Sequence, residues 1–81
     1  MKTFSIKTPH QLGAVLQGYR KARSLTQSQV GARVGLPQKE VSKLELDPSN
    51  TSLRRVFKLL AALDLEIVVQ ERGTPRDQSE W

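Results

Sequence analysis

The sequence has no cysteine, a single histidine, and only four aromatic residues: one tryptophan, one tyrosine and two phenylalanines. Without thiols, neither a disulfide framework nor a thiolate metal site can form, a pattern that fits a reducing compartment. His10 lies close to the start of a predicted helix and has no nearby carboxylate or second ligand, so it completes neither a metal site nor a catalytic triad. No apolar run approaches the ~18 residues needed to span a membrane, and the opening "MKTFSIKTPHQ" lacks a signal peptide's continuous apolar stretch. Gly13, Gly18, Gly31 and Gly35 all fall within or at the ends of helical patterns, which leaves no glycine loop to cradle a phosphate. At 81 residues the chain makes one small domain, with a core of about fifteen side chains and no room for a deep cleft. These absences predict a cytoplasmic protein that is not an enzyme and carries no metal or cofactor.

Positive charge is abundant and unevenly placed. Residues 1–63 hold 11 Lys/Arg against 3 Asp/Glu, whereas residues 64–81 hold 2 against 5. A basic body of this kind is the electrostatic footprint of a phosphate-backbone binder. A merely solvated basic surface would carry the same charge, so the decision rests on pattern.

That pattern is helical. Thr8-Pro9 reads as a cap followed by proline at the first helical position, and Leu12, Val15, Leu16 and Tyr19 then recur on one face, predicting a helix over about 9–23. "LTQSQVGARVGL" predicts a second, shorter helix capped by Thr26, with Val30 and Val34 inward and Gly35 supplying a left-handed end. "PQKEVSKLELD" starts a third at Pro37, with Val41 and Leu44 inward and Gln38, Lys39, Ser42 and Lys43 outward. Amide and hydroxyl groups set between lysines can address base edges and phosphates together. "DPSNTS" is turn chemistry with Asn50 and Thr51 as candidate caps. The fourth helix, over about 52–63, places Leu53, Val56, Phe57, Leu60 and Leu63 on one face. Leu59, Ala61 and Ala62 widen that stripe beyond what a small core can use.

Ile67, Val68 and Val69 form a β-branched run that predicts a strand over residues 65–71. A strand needs a partner for its backbone groups. Within the chain only Thr3–Ile6 could serve; the same strand of a second copy is favoured, because it would also cover the surplus apolar face of the fourth helix, notably Leu59 and Ala62. The expected class is therefore all-α, with four or five helices and one C-terminal strand pairing across a homodimer. In domain terms this gives an extension over 1–7, a DNA-binding unit over 8–64, a dimerisation strand over 65–71 and a polar tail over 72–81 that ends in Trp81.

Two short helices joined by a tight glycine turn make the helix-turn-helix unit, whose second helix enters the DNA major groove. Counting Gln27 as the first position, Gly31 is fifth, Gly35 ninth, Val41 fifteenth and Leu44 eighteenth. "LTQSQVGARVGLPQKEVSKLE" thereby resembles the Xre/Cro-type helix-turn-helix family, and the likeness extends over residues 9–64. Gly31 departs from the alanine usual there, and Pro37 replaces a polar contact residue. The resemblance implies that Gln27 contacts a phosphate at a helix N-terminus, that Gln38, Lys39, Ser42 and Lys43 meet bases and phosphates, and that Arg20 pairs with Glu45. That pair is expected to be partly exposed, to orient the helices, and to contribute only ~1 kcal/mol. Ser28, Thr51 and Arg54 complete the candidate DNA-contacting set.

The order of helix-turn-helix, unpartnered strand and polar tail ending in tryptophan is similar to the HipB-type antitoxins, on the residues "TPHQLGAVL", "LTQSQVGARVGL", "NTSLRRVFKLL" and the final "EW". That likeness implies a homodimeric repressor of its own operon, bound to an inverted-repeat operator in double-stranded DNA and associated with the prokaryotic nucleoid when bound. It also implies a HipA-like serine/threonine kinase toxin as partner, reached by the tail. Burying one indole is worth at most ~4–6 kcal/mol, and ordering each tail residue costs ~1–2. Trp81 is thus expected to anchor with only two or three neighbours. A stand-alone Xre/Cro-type repressor without a toxin, or a module whose helices bind protein, are the alternatives.

Overall fold

The computed structural model describes residues 3–73. Four α-helices follow one another: α1 (Pro9–Ala22), α2 (Gln27–Val34), α3 (Gln38–Leu46) and α4 (Leu53–Ala62), with a single 3-10 turn (Pro48–Asn50) between the last two.

Both leading helices start with the same device, written in sequence as Thr-x-x-Gln. The Thr8 hydroxyl accepts from the Gln11 backbone N–H at 3.1 Å while Gln11 Oε1 accepts from the Thr8 N–H at 3.2 Å. At α2, Thr26 accepts from the Gln29 N–H at 3.0 Å and Gln29 Oε1 from the Thr26 N–H at 2.8 Å. Each reciprocal pair satisfies two N–H groups that a helix start otherwise leaves unpaired.

The core is Leu16 from α1, Val30 from α2, Val41 and Leu44 from α3, and Val56, Leu59 and Leu60 from α4, closed by Leu36 and Leu63. Each such side chain contributes about 1.5–3 kcal/mol of apolar burial. Two glycines set the angle between α2 and α3. Gly35 ends α2 at φ 72°, a left-handed conformation that L side chains resist. Gly31 lies so close to the following turn that an added Cβ would run into the Leu36 carbonyl oxygen. Glycine therefore fits here because backbone fills the space, and the family's alanine would not be an equivalent.

Two expectations are overturned and a third is not met within one chain. First, the inward face of α4 is only partly the expected one: Val56, Leu60 and Leu63 are buried as predicted, but Leu59 (0% exposed) and Ala62 (7%) join them in the core, whereas Leu53 is 65% and Phe57 51% exposed. Leu59 and Ala62 therefore cannot form a face between copies. Their inward position follows from α4 packing on α2, where Arg33 Nη1 donates to the Ala62 carbonyl at 3.1 Å and holds the end of α4. Second, Ser52, and neither Asn50 nor Thr51, caps α4, accepting from the Arg55 N–H at 3.2 Å; Asp47 caps the preceding 3-10 turn. Third, the strand expected to pair with a second copy has no partner in a single chain, and among the described residues no strand is present. Neither Thr3–Ile6 nor 65–71 forms a ladder within the chain, and Ile67, Val68 and Val69 stand exposed without a partner for their backbone.

Candidate nucleic-acid interface

α3 is amphipathic in the sense the sequence predicts. Val41 and Leu44 are fully buried, Gln38, Lys39 and Lys43 are exposed and Ser42 is half-buried beside them. Nothing but the three residues Gly35, Leu36 and Pro37 separates α3 from α2, and Leu36 anchors that turn in the core while its N–H bonds the Gly31 carbonyl at 2.9 Å. The turn thus fixes where the outward residues of α3 stand relative to the start of α2, where Gln27 is half-buried and Ser28 exposed.

Behind this face runs a polar chain that reaches from the core to the surface. Arg20 Nε donates to Glu45 Oε2 at 2.6 Å, its Nη2 to Glu45 Oε1 at 3.1 Å and its Nη1 to the Leu25 carbonyl at 2.8 Å. Gln27 Nε2 donates to Glu45 Oε1 at 3.0 Å, and Gln38 Nε2 donates to Gln27 Oε1 at 2.6 Å. The expected Arg20–Glu45 pair therefore forms, but it is not a partly exposed one: the side chains are only 10% and 2% accessible. The correction matters energetically, because a bidentate, fully bonded ion pair out of water is costly to break from one side. The Gln27 side chain, expected to reach a phosphate, has its amide oxygen and one N–H engaged inside the protein.

Glu40 is a residue the sequence reading passed over. Its carboxylate lies 3.8 Å from Lys43 Nζ and 3.6 Å from Arg55 Nε, linking α3 to the first turn of α4. The Glu40–Lys43 half was visible as i, i+3 spacing on a helix; the Arg55 half depends on the fold. Arg54 is exposed on the same helix, and Thr51 is half-buried with its hydroxyl donating to the Pro48 carbonyl at 3.0 Å. In the 3-10 turn the Ser49 hydroxyl (2.6 Å) and backbone N–H (3.1 Å) both donate to Asp47 Oδ1, holding that carboxyl below its ordinary range, with a small further contribution from His10. Trp81 lies outside the described residues. No cluster of residues able to hold a metal ion occurs among those described.

The helix-turn-helix family model matches residues 16–70. An antitoxin HipB of Escherichia coli O6:H1 (strain CFT073) is 34% identical over 64 residues, which cover 79% of this chain and 68% of that protein. The chain belongs to the HipB antitoxins of the helix-turn-helix family. A HipB antitoxin of Escherichia coli K12 is 29% identical over 94% of this chain and 93% of its own length. In a solved HipA-HipB-O2-O3 complex, a chain 30% identical superposes with a TM-score of 0.84, covering 88% of this chain and all (100%) of that one. As a HipB-type antitoxin the protein is a DNA-binding regulator, in keeping with an outward face of amides, hydroxyl and lysines on α3.

Proposed function

We propose that this HipB-type antitoxin acts as a homodimer that binds an inverted-repeat operator, represses its own operon, and is the partner of a HipA-like serine/threonine kinase toxin. The observation that carries the DNA part is the rigid display of Gln38, Lys39, Ser42 and Lys43 on α3 across a three-residue turn, backed by the buried chain from Arg20 to Gln27. Ser28 and Arg54, both exposed, supply phosphate contacts, as does the N-terminus of α2, where unpaired N–H groups favour an anion; Thr51, whose hydroxyl and N–H both go to the Pro48 carbonyl, has no donor left for one.

Dimer formation uses the apolar surface the single chain leaves open. Leu53 and Phe57 of α4 are exposed together with Ile67, Val68 and Val69, and Leu53 and Ile67 line one groove with Ile6, Leu12 and Val56. Antiparallel pairing of residues 65–71 across a two-fold axis joins their unpartnered backbone and covers this surface in one step. A two-fold pair places the recognition helices about 34 Å apart, one turn of DNA. The HipA part rests on kinship with a protein solved in a HipA-HipB-O2-O3 complex, with Trp81 as the anchoring residue of the tail.

Electrophoretic shifts with operator DNA test the first part. If the dimer neutralises about 6 phosphates, affinity falls by ~10³ between 50 and 200 mM salt, and Lys43→Ala weakens all sequences alike. A salt-insensitive complex would refute the electrostatic account. For the second part, wild type and Trp81→Ala are compared as baits in the native lysate. Capture of a HipA-like kinase by wild type and its loss from the variant is the expected result, and equal capture by both removes Trp81 from the role.

A further inference from the structure

The polar chain behind α3 has a direction. A carboxylate accepts hydrogen bonds and donates none, so Glu45 obliges Gln27 to turn its amide nitrogen inward, as the 3.0 Å contact records. The Gln27 oxygen then faces Gln38 and obliges that residue to turn its nitrogen inward in the same way, at 2.6 Å. Gln38, exposed at the first position of α3, is left with its carbonyl oxygen and one remaining N–H facing outward. The 2.6 Å bond from Arg20 Nε, together with 2% side-chain exposure, holds the origin of this relay in place.

We infer that Glu45 is a specificity-determining positioning residue: without touching DNA, it sets through Gln27 which base edge Gln38 accepts. An outward acceptor beside a single outward donor matches adenine, which offers an N6 donor and an N7 acceptor in the major groove. Guanine offers two acceptors there, N7 and O6, and would set its O6 against the Gln38 oxygen. The inference rests on the operator-binding reading above and adds to it the residue that decides the polarity of one contact.

Reversing the source reverses the relay. In Glu45→Gln, arginine still only donates, so the shorter of its two contacts, the 2.6 Å one, takes the new amide's oxygen, and the amide's nitrogen turns toward Gln27. Gln27 and then Gln38 rotate in answer, and the Gln38 nitrogen faces outward with both remaining interactions as donors. Selection from a randomised duplex library, followed by competition binding at the base pair where Gln38→Ala erases preference, reads the outcome. Wild type is expected to favour adenine over guanine by about 10-fold or more, Glu45→Gln to shift that preference toward guanine, and preference at base pairs unaffected by Gln38→Ala to stay unchanged. Gln27→Met cuts the relay without disturbing the ion pair and serves if Glu45→Gln does not fold; its adenine preference is expected to fall several-fold toward parity. Adenine preference retained in either folded variant, or an equal loss of preference at every base pair, overturns the inference. Failure of wild type to bind duplex DNA at any salt overturns instead the operator-binding reading beneath it.

Discussion

Replacing Arg20 with methionine keeps much of its volume and removes all of its donors. Three hydrogen bonds disappear: two to Glu45 and one to the Leu25 carbonyl. Glu45 remains charged, 2% exposed, with only the Gln27 N–H to satisfy it. Leaving one member of a buried pair uncompensated costs about 3–5 kcal/mol, and the orphaned Leu25 carbonyl about 1 more. A domain of this size has about 4–12 kcal/mol of stability in all, so Arg20→Met removes a large part of it. Urea unfolding followed by circular dichroism measures the loss directly, and thermal unfolding should move down by roughly 12–24 °C for a 3 kcal/mol loss. The double variant Arg20→Met/Glu45→Leu removes both charges and should recover most of that loss, because the pair's net worth over apolar residues is small even though each half is indispensable to the other. A single-variant loss below about 1 kcal/mol, the range of an exposed pair, would refute the buried-pair account.

Three further outcomes follow from the packing. Gly31→Ala should lower stability by about 1–3 kcal/mol through contact with the Leu36 carbonyl, in spite of alanine's ~1 kcal/mol advantage in helix propensity; a stabilised variant in urea unfolding would contradict the close approach. Leu59→Ala and Phe57→Glu should separate core from surface: the first loses about 2–5 kcal/mol in unfolding, while the second keeps helix content and abolishes self-association in sedimentation, and loss of association by neither would remove α4 from the dimer. Asp47, whose folded-state pKa is depressed by the two Ser49 donors, contributes stability that is complete above about pH 4 and is lost as pH falls through its lowered folded value. Asp47→Asn should therefore flatten the fall in stability on the acid side, and an unchanged slope in acid unfolding would exclude the cap's contribution.

What could be read from the chain alone tracks how local each cause is. The α2–turn–α3 unit was legible because its determinants, Thr26, Gly31, Gly35, Val41 and Leu44, lie within a few turns of one another and each acts on its own backbone or on an adjacent helix. The inward face of α4 was legible only in part, at Val56, Leu60 and Leu63. Leu53, Val56, Phe57, Leu59, Leu60, Ala62 and Leu63 cover more than half of the helix circumference, and only packing against α2 selects Leu59 and Ala62 over Leu53 and Phe57. The burial of Arg20 and Glu45 escaped for a related reason: charged residues are almost always exposed unless paired, and the pairing here joins positions 25 apart in sequence. Within the candidate site, the outward residues of α3 followed from spacing, whereas the bond between Gln27 and Gln38 depends on the angle the glycine turn imposes. The run Ile67–Val69 carries strand propensity, but a ladder needs a second edge, which a single chain does not supply.

Arg33 is a basic residue on the second helix of a DNA-binding unit, yet its guanidinium is turned away to grip the last carbonyl of α4. That grip makes the helix bearing the proposed contact between copies and the helix pair proposed to face DNA a single lever. In a two-fold pair, any slack at this joint would let the two reading heads drift apart or together, and an operator with half-sites one turn apart would then be measured with a loose caliper. In the proposed dimer Arg33 is the set-screw: by tying α2 to the end of α4 it sets the distance between half-sites that the pair would span.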